Sequence, residues 1–230
     1  MFCFFSYFAV IMQIKNYITN DIKSLRLSDS VKKAKQLFNK LIFTHLPVVE
    51  EGRLIGLVIE DDIQNTEDEN KEIASLQYLF EYFYAKESDN WFQLFQKFAS
   101  TEANILPILN EKKEYLGYIE LQDILHTINN TPFLSEEGTV LIVSIEKEDY
   151  SLSRIAQIIE SNNATLFGAF ISNIKDNITE VTLKLSSENL NAIIQTFRRY
   201  NYTIELGLHE DLYLQELKER SDYLQKYLDI

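Results

Sequence analysis

The fold of this chain is indicated by the stretch HLPVVEEGRLIGLVIEDDI, which occupies residues 45–63. A matching stretch, ILPILNEKKEYLGYIELQDI, occupies residues 105–124. Their prolines lie 60 positions apart, whereas the glycines and aspartates that follow lie 61 positions apart. One extra residue therefore falls between Pro and Gly in the second copy, where the tip of a hairpin is predicted. A repeat of this period predicts two copies of one supersecondary unit, neither of which can bury its apolar face alone.

Each copy is predicted to form a helix, two strands and a second helix. Proline is tolerated at the start or edge of a strand, and the run Glu50-Glu51-Gly52 is typical of a turn between two strands. The aspartate near the end of each phrase is predicted to open the following helix. The helix before each hairpin is predicted from capping residues at 28–30 and at Ser88-Asp89, followed by apolar residues at helical spacing.

The paired phrases resemble a tandem CBS-domain pair, the regulatory unit also called a Bateman module. The resemblance covers roughly residues 13–130. It is carried by Leu46-Pro47-Val48-Val49, Gly56-Leu57-Val58 and Asp62, and by Leu106-Pro107-Ile108-Leu109, Gly117-Tyr118-Ile119 and Asp123. The resemblance implies that a cleft between the paired sheets binds adenosine, an adenine nucleotide or a related ligand. The candidate ligand-binding residues that it implies are Pro47, Ile59, Asp62, Pro107, Glu120 and Asp123.

Both copies depart from the family's nucleotide-binding phrase, which is similar to Gly-apolar-apolar-Thr/Ser-x-x-Asp. In the family, the hydroxyl contacts phosphate or ribose and the aspartate accepts hydrogen bonds from ribose. Here the hydroxyl position holds Ile59 or Glu120. Isoleucine cannot donate a hydrogen bond, and glutamate repels a nearby phosphate. The retained aspartates have two readings, as ribose contacts or as helix caps. A bound ligand is therefore expected to be neutral or weakly charged, such as adenosine, rather than ATP.

Composition narrows the class of protein. The chain has 230 residues, 46% of them hydrophobic, and can bury a sizeable core in about two domains. Its net charge of −13 argues against nucleic-acid binding, which needs a basic face. One cysteine allows no internal disulfide, and the three histidines form no metal-binding pattern. Without a catalytic motif, the chain is expected not to be an enzyme. A cytoplasmic location is expected as well, and the resemblance to a CBS pair implies a homodimer.

The last hundred residues are predicted to form a second domain. Apolar strands at 139–145, 166–174, 181–185 and 202–206 alternate with two helical patterns, and Asp176-Asn177 gives a turn. The order β-α-β-β-α-β is the ferredoxin-like plan. After a CBS pair, this segment resembles an ACT domain, a family that senses amino acids and dimerises, although its first loop lacks the family's usual Pro and Gly. The domain order is similar to that of acetoin-utilisation accessory proteins.

These patterns give an α+β protein that either senses a small molecule or serves as a ligand-free dimerisation or interaction scaffold. The apolar extension at the N-terminus is expected to reflect a misassigned start codon before Met12, with a membrane or partner anchor as the alternative. The predicted divisions are the apolar extension 1–12, first CBS repeat 13–66, linker 67–75, second CBS repeat 76–132, ACT-like domain 138–207 and C-terminal helix 208–230.

Overall fold

The computed structural model describes residues 14–186 and 188–207 and divides the chain into two units, residues 1–127 and 128–230. Both contain helices and strands, which confirms the predicted α+β class. The predicted apolar extension at 1–12 and C-terminal helix at 208–230 lie outside the described residues.

The first copy of the repeat forms α1 (Val31–Phe38), β1 (His45–Glu50), β2 (Arg53–Ile59) and α2 (Glu60–Gln64). The Ser30 hydroxyl caps α1 by accepting a hydrogen bond from the Lys33 amide, as the sequence predicts. Strands β1 and β2 pair antiparallel and are joined by Glu51 and Gly52, both at positive φ. Two such residues are typical of the type I′ turn that closes a tight hairpin.

The second copy forms β3 (Ala85–Lys86), α3 (Trp91–Thr101), β4 (Ile105–Leu109), β5 (Tyr115–Glu120) and α4 (Leu121–Asn129). The expected cap at Ser88-Asp89 is wrong by one residue. Asn90 caps α3 in a capping box with Gln93, while the Asp89 carboxylate accepts a hydrogen bond from the Lys86 amide in the preceding turn. The extra residue lies in the longer β4–β5 tip, because both hairpins carry the same register shift just before it.

In each hairpin, the residue that follows the repeated glycine pairs with an incoming segment of the chain. Glu81 bridges Leu57 of β2, and Thr19 bridges Tyr118 of β5. A Cβ on Gly56 would lie 3.0 Å from the Glu81 carbonyl oxygen, and one on Gly117 would lie 2.2 Å from that of Thr19. The repeated glycine is therefore explained by the close passage of backbone across the sheet edge.

The other edge of each hairpin explains the repeated proline. Leu25 pairs in parallel with Val48 of β1, as β3 pairs in parallel with β4. Pro47 and Pro107 are each the third residue of a strand rather than its first. The carbonyl of Pro47 accepts a hydrogen bond from the Leu25 amide at 2.9 Å, so this short contact uses the one backbone group that proline retains.

Residues 67–75, expected to be a linker, pack against the first copy. The Ile73 amide donates to the backbone carbonyl of Asp29 at 2.8 Å, and the Ala74 amide donates to that of Leu27 at 2.9 Å. Ile73 and Leu76 of the 3₁₀ helix Ile73–Leu79 are buried in the same core as Val31. This segment is therefore part of the packed unit, and its charges lie on the outside.

The second unit has one antiparallel sheet in which the strands Leu166–Lys175, Ile178–Leu185, Thr139–Glu146 and Thr203–Gly207 lie side by side in this order. Along the chain it contains α5 (Pro132–Ser135), β6 (Thr139–Glu146), a 3₁₀ turn (Lys147–Asp149), α6 (Leu152–Ser161), β7 (Leu166–Lys175), β8 (Ile178–Leu185), α7 (Leu190–Arg199) and β9 (Thr203–Gly207). Asp176 and Asn177 join β7 to β8, both at positive φ. The two longer helices bury Ile155, Ile159 and Phe197 against the sheet.

Candidate functional site

The two copies meet at equivalent residues, Thr44 and Asn104, which lie 60 positions apart just before β1 and β4. The Thr44 amide donates to Asn104 Oδ1 at 2.9 Å, and the Asn104 amide donates to Thr44 Oγ1 at 3.1 Å. The Asn104 side-chain amide also donates to the carbonyl of Ile42. Since Oδ1 accepts from a backbone N–H, the orientation of the Asn104 amide group is fixed. This exchange is one of several polar contacts between the copies; the Tyr115 amide, for example, donates to the Gly52 carbonyl at 2.8 Å.

A cleft of about 340 Å³, here called the Asn104 cleft, opens beside this contact. Its volume lies within the usual range for small-molecule sites. Apolar side chains from the first copy and its leading segment form one part, and polar residues of the second copy form the other. The lining residues are Ile22, Lys40, Leu41, Ile42, Phe43, Asn104, Glu120 and Gln122. Ile42 is 93% exposed, so an apolar side chain remains available to cover a ligand at the cleft.

Glu120 gives the Asn104 cleft an acidic character. Burial raises the pKa of its carboxyl group, and the charges of Asp123 and Asp21 raise it further. The pKa of Asp21 shifts in the opposite direction to that of Glu120, because hydrogen bonds from the hydroxyls of Tyr118 and Thr19 lower it. The Tyr118 hydroxyl donates to Asp21 at 2.6 Å, and burial with this contact raises the tyrosine's own pKa. Three carboxylates near one site disfavour an additional anion.

In the first copy, Ile59 and Asp62 take the positions of Glu120 and Asp123 in the repeat, and the space beside them is closed. Ile59 and Asp62 border a small space together with Val58, Ile63, Leu76 and Leu79, and this space has no room for a water molecule. Leu76 and Leu79 belong to the 3₁₀ helix Ile73–Leu79, which begins within the predicted linker 67–75. The space beside Asp62 is therefore too small to hold a ligand.

Neither retained aspartate is the cap of its helix. Ile59 is the N-cap of α2 and gives no side-chain hydrogen bond, while Asp62 is the third helical residue. Asp123 likewise is the third residue of α4, three positions after Glu120. Both carboxylates remain in the first turn, where they interact favourably with the helix dipole.

The six candidate residues are therefore not gathered in one place. Glu120 lines the Asn104 cleft, and Asp123 influences it through its charge. Ile59 and Asp62 lie at the closed space, and both prolines are buried in their strands. The sequence reasoning missed Asn104, although its 60-residue offset from Thr44 equals that of the prolines and could have identified the pair.

A second and more open concavity of about 590 Å³ lies along α3 in the same unit. Phe83, Tyr84 and polar residues of α3 line it. The ammonium of Lys97 donates to the Tyr84 carbonyl at 2.8 Å and lies 5.7 Å from the centre of the Tyr84 ring. Lys97 therefore anchors the segment that leads into β3. None of the candidate residues lines this concavity.

Comparison with known families gives a match to the first copy of the repeat. The family model of the CBS domain matches residues 14–66, which include α1, β1, β2 and α2. The chain contains a CBS domain. Residues 85–129 repeat its strand pair and following helix in the second copy. No curated protein matches the chain.

Three solved structures are among those to which part of the chain is similar. A CBS domain pair/ACT domain protein from Thermotoga maritima is 20% identical, with 51% of this chain and 96% of that chain covered and a TM-score of 0.46. The CBS domains of a transcriptional regulator from Streptococcus pneumoniae are 18% identical, covering 50% and 98%, with a TM-score of 0.44. CBSX2 in complex with AMP is 17% identical, covering 51% and 96%, with a TM-score of 0.44.

Two further observations concern metal sites and membrane-spanning helices. Over residues 14–186 and 188–207, no group of three or more His, Cys, Asp or Glu side chains is placed to hold a metal ion. Among the helices of that same part of the chain, none is long and apolar enough to span a bilayer.

Proposed function

We propose that this chain is a non-catalytic regulatory protein that binds one adenosine-type ligand in the Asn104 cleft. The observation that carries the proposal is the cleft itself, which is formed where the CBS domain meets its second copy. Apolar side chains around Ile42 offer contacts for a planar base, while Asn104, Glu120 and Gln122 offer partners for polar groups. The second unit, with its ACT-like order of elements, is the part to which binding is communicated.

The charge distribution favours a nucleoside over ATP. A phosphate placed about 4 Å from an ionised carboxylate is repelled by roughly 4 kcal/mol at an effective dielectric constant of 20. One net hydrogen bond contributes only about 1 kcal/mol, so it does not compensate. Lys40 also lines the cleft, but it is exposed and its charge is therefore weakened by solvent. Ribose hydroxyls, in contrast, can donate hydrogen bonds to Glu120.

A thermal-shift panel of adenosine, AMP, ATP and amino acids tests this proposal. Adenosine at a hundredfold its Kd should stabilise the folded state by about 2.7 kcal/mol. Substitution of Glu120 by Thr should increase the shift caused by phosphorylated nucleotides, because it removes the carboxylate. Asp62→Ala is the matched control, since Asp62 borders the closed space and should leave the adenosine shift unchanged. A panel in which no adenine compound raises the melting temperature would refute the sensor function.

An interaction scaffold is the second candidate, and the exposed edge of the second unit favours it. Strand β7 is at the end of the sheet, and Phe170, Ile171 and Ile174 are 52%, 43% and 54% exposed. An apolar edge strand offers unpaired backbone groups to another strand. We therefore propose that the chain is a homodimer. Light scattering at micromolar concentration checks this state, and a monomer there would contradict it.

A further inference from the structure

A buried histidine lies next to the contact that joins the two copies. His45 is the first residue of β1 and is buried, pairing across the hairpin with Ile59. Its Nδ1 lies 2.8 Å from Thr44 Oγ1, and its Nε2 lies 3.2 Å from a carboxylate oxygen of Glu81. The ring of Phe83 packs edge-on, with the ring centres 5.5 Å apart. A continuous line of contacts thus runs from Glu81 through His45 and Thr44 to Asn104.

The Thr44 hydroxyl has one proton and two possible acceptors. It lies 2.8 Å from His45 Nδ1 and 3.1 Å from Asn104 Oδ1, and it also accepts from the Asn104 amide. Only one of the two acceptors can receive the proton at a time. The protonation state of the imidazole decides which one does.

With a neutral imidazole, the Glu81 carboxylate favours the tautomer that carries its proton on Nε2. Nδ1 is then an acceptor and receives the Thr44 proton, so Asn104 Oδ1 keeps one lone pair available. With a protonated imidazole, Nδ1–H donates to Thr44 Oγ1. The hydroxyl must then donate to Asn104 Oδ1, which already accepts from the Thr44 amide. Both lone pairs of that oxygen are then occupied.

We propose that Asn104 accepts a hydrogen bond from the ligand in the Asn104 cleft, and that His45, acting through the Thr44 hydroxyl, controls whether this acceptor is available. The inference rests on the proposed adenosine-type ligand, whose amino group and hydroxyls are donors. Asn104 is the specificity-determining residue here, while Thr44 and His45 are positioning residues. Ligand binding and proton binding at His45 oppose each other, and the coupling is reciprocal.

The sign and range of the effect follow from the surroundings of His45. Burial lowers the pKa of His45 below 6.5, and the charge of Glu81 partly offsets that shift. Adenosine affinity should therefore be constant near neutral pH and fall as the pH drops below 6.5. Loss of one net hydrogen bond corresponds to a decrease of about fivefold. Glu120 in the cleft also titrates in acid, so the variants that test the inference must retain it.

Isothermal titration with adenosine at about pH 7.5 and about pH 5.5, on either side of the usual histidine pKa, measures the effect. The unmodified protein should bind more weakly at the lower pH, and the loss should approach about fivefold as His45 becomes fully protonated. Thr44→Val removes the hydroxyl, keeps the β-branched shape and retains Glu120, so only the pH dependence due to Glu120 should remain. His45→Gln is a second variant that cannot be protonated, and it should behave in the same way.

Proton NMR of the imidazole provides a readout that a purely structural role would not change. Adenosine should lower the pKa of His45 in the unmodified protein and leave it unchanged in Thr44→Val. Adenosine binding that is equally strong at both pH values, while His45 titrates between them, would overturn the inference and leave the proposed function standing. Absence of adenosine binding at every pH would overturn both.

Discussion

Replacement of Gly117 by Ala tests the explanation of the repeated glycine. The added Cβ would lie 2.2 Å from the carbonyl oxygen of Thr19, so the incoming segment has to move. That movement breaks the reciprocal hydrogen bonds between Thr19 and Tyr118, which are both 2.9 Å long. They contribute about 1 kcal/mol each. Strain at φ +150° adds about 1–3 kcal/mol. The expected loss is about 3–5 kcal/mol, which is a large part of the stability of a typical domain.

Urea denaturation followed by the fluorescence of Trp91 measures this loss. Trp91 is the only tryptophan and is buried in α3 against Tyr17, so it reports on the first unit. Gly52→Ala is the matched control. It also places a side chain at positive φ, but in open space, and should cost about 1–2 kcal/mol. Equal losses for Gly117→Ala and Gly52→Ala would refute the argument that the crossing backbone requires the glycine.

Three other changes test separate parts of the account. Asn90→Ala should lower the free energy of unfolding by about 1–2 kcal/mol in the same urea assay, because it removes the capping box of α3. Ser88→Ala should be nearly neutral. A larger loss for Ser88→Ala than for Asn90→Ala would indicate that the cap lies at Ser88-Asp89, as the sequence predicts. Glu120→Gln should raise the melting temperature at neutral pH, since the raised pKa of this carboxyl means that its ionised form destabilises the fold. This increase in melting temperature should disappear as the pH falls to about 4.5, where the carboxyl of the unmodified protein is protonated. An increase that does not depend on pH would show that ionisation of Glu120 is not its cause. Ile171→Lys on β7 should shift a dimer towards monomer in light scattering, whereas Lys175→Ala at the end of the strand should not; equal effects would place the interface elsewhere.

Local chemistry made the hairpins predictable. The pairs Glu51-Gly52 and Asp176-Asn177 are turn sequences, and both adopt the positive φ values that such turns need. The 60-residue offset and the single extra residue in the second copy were also visible in the sequence, because period and turn length are local properties. The cap of α3 was missed by one residue since Asp89 and Asn90 are both good caps, and the contact of Asp89 with Lys86 decides between them.

The candidate site was less predictable because it depends on packing between distant segments. The sequence treats Asp62 and Asp123 as equivalent, yet Leu76 and Leu79 close the space beside the first aspartate. The spacing of these two leucines in the sequence does not indicate whether they pack against the first copy or against the second. Asn104 was recognisable only through the symmetry of the repeat, which brings equivalent residues together where the copies meet.

Isothermal titration of the unmodified protein with adenosine and with ATP, at neutral pH and matched ionic strength, tests the central claim most directly. The acidic Asn104 cleft predicts that one adenosine binds per chain and that it binds more tightly than ATP. It also predicts that Glu120→Thr narrows the difference between the two ligands. Tight ATP binding that Glu120→Thr leaves unchanged, or two equivalent sites per chain, would contradict the account.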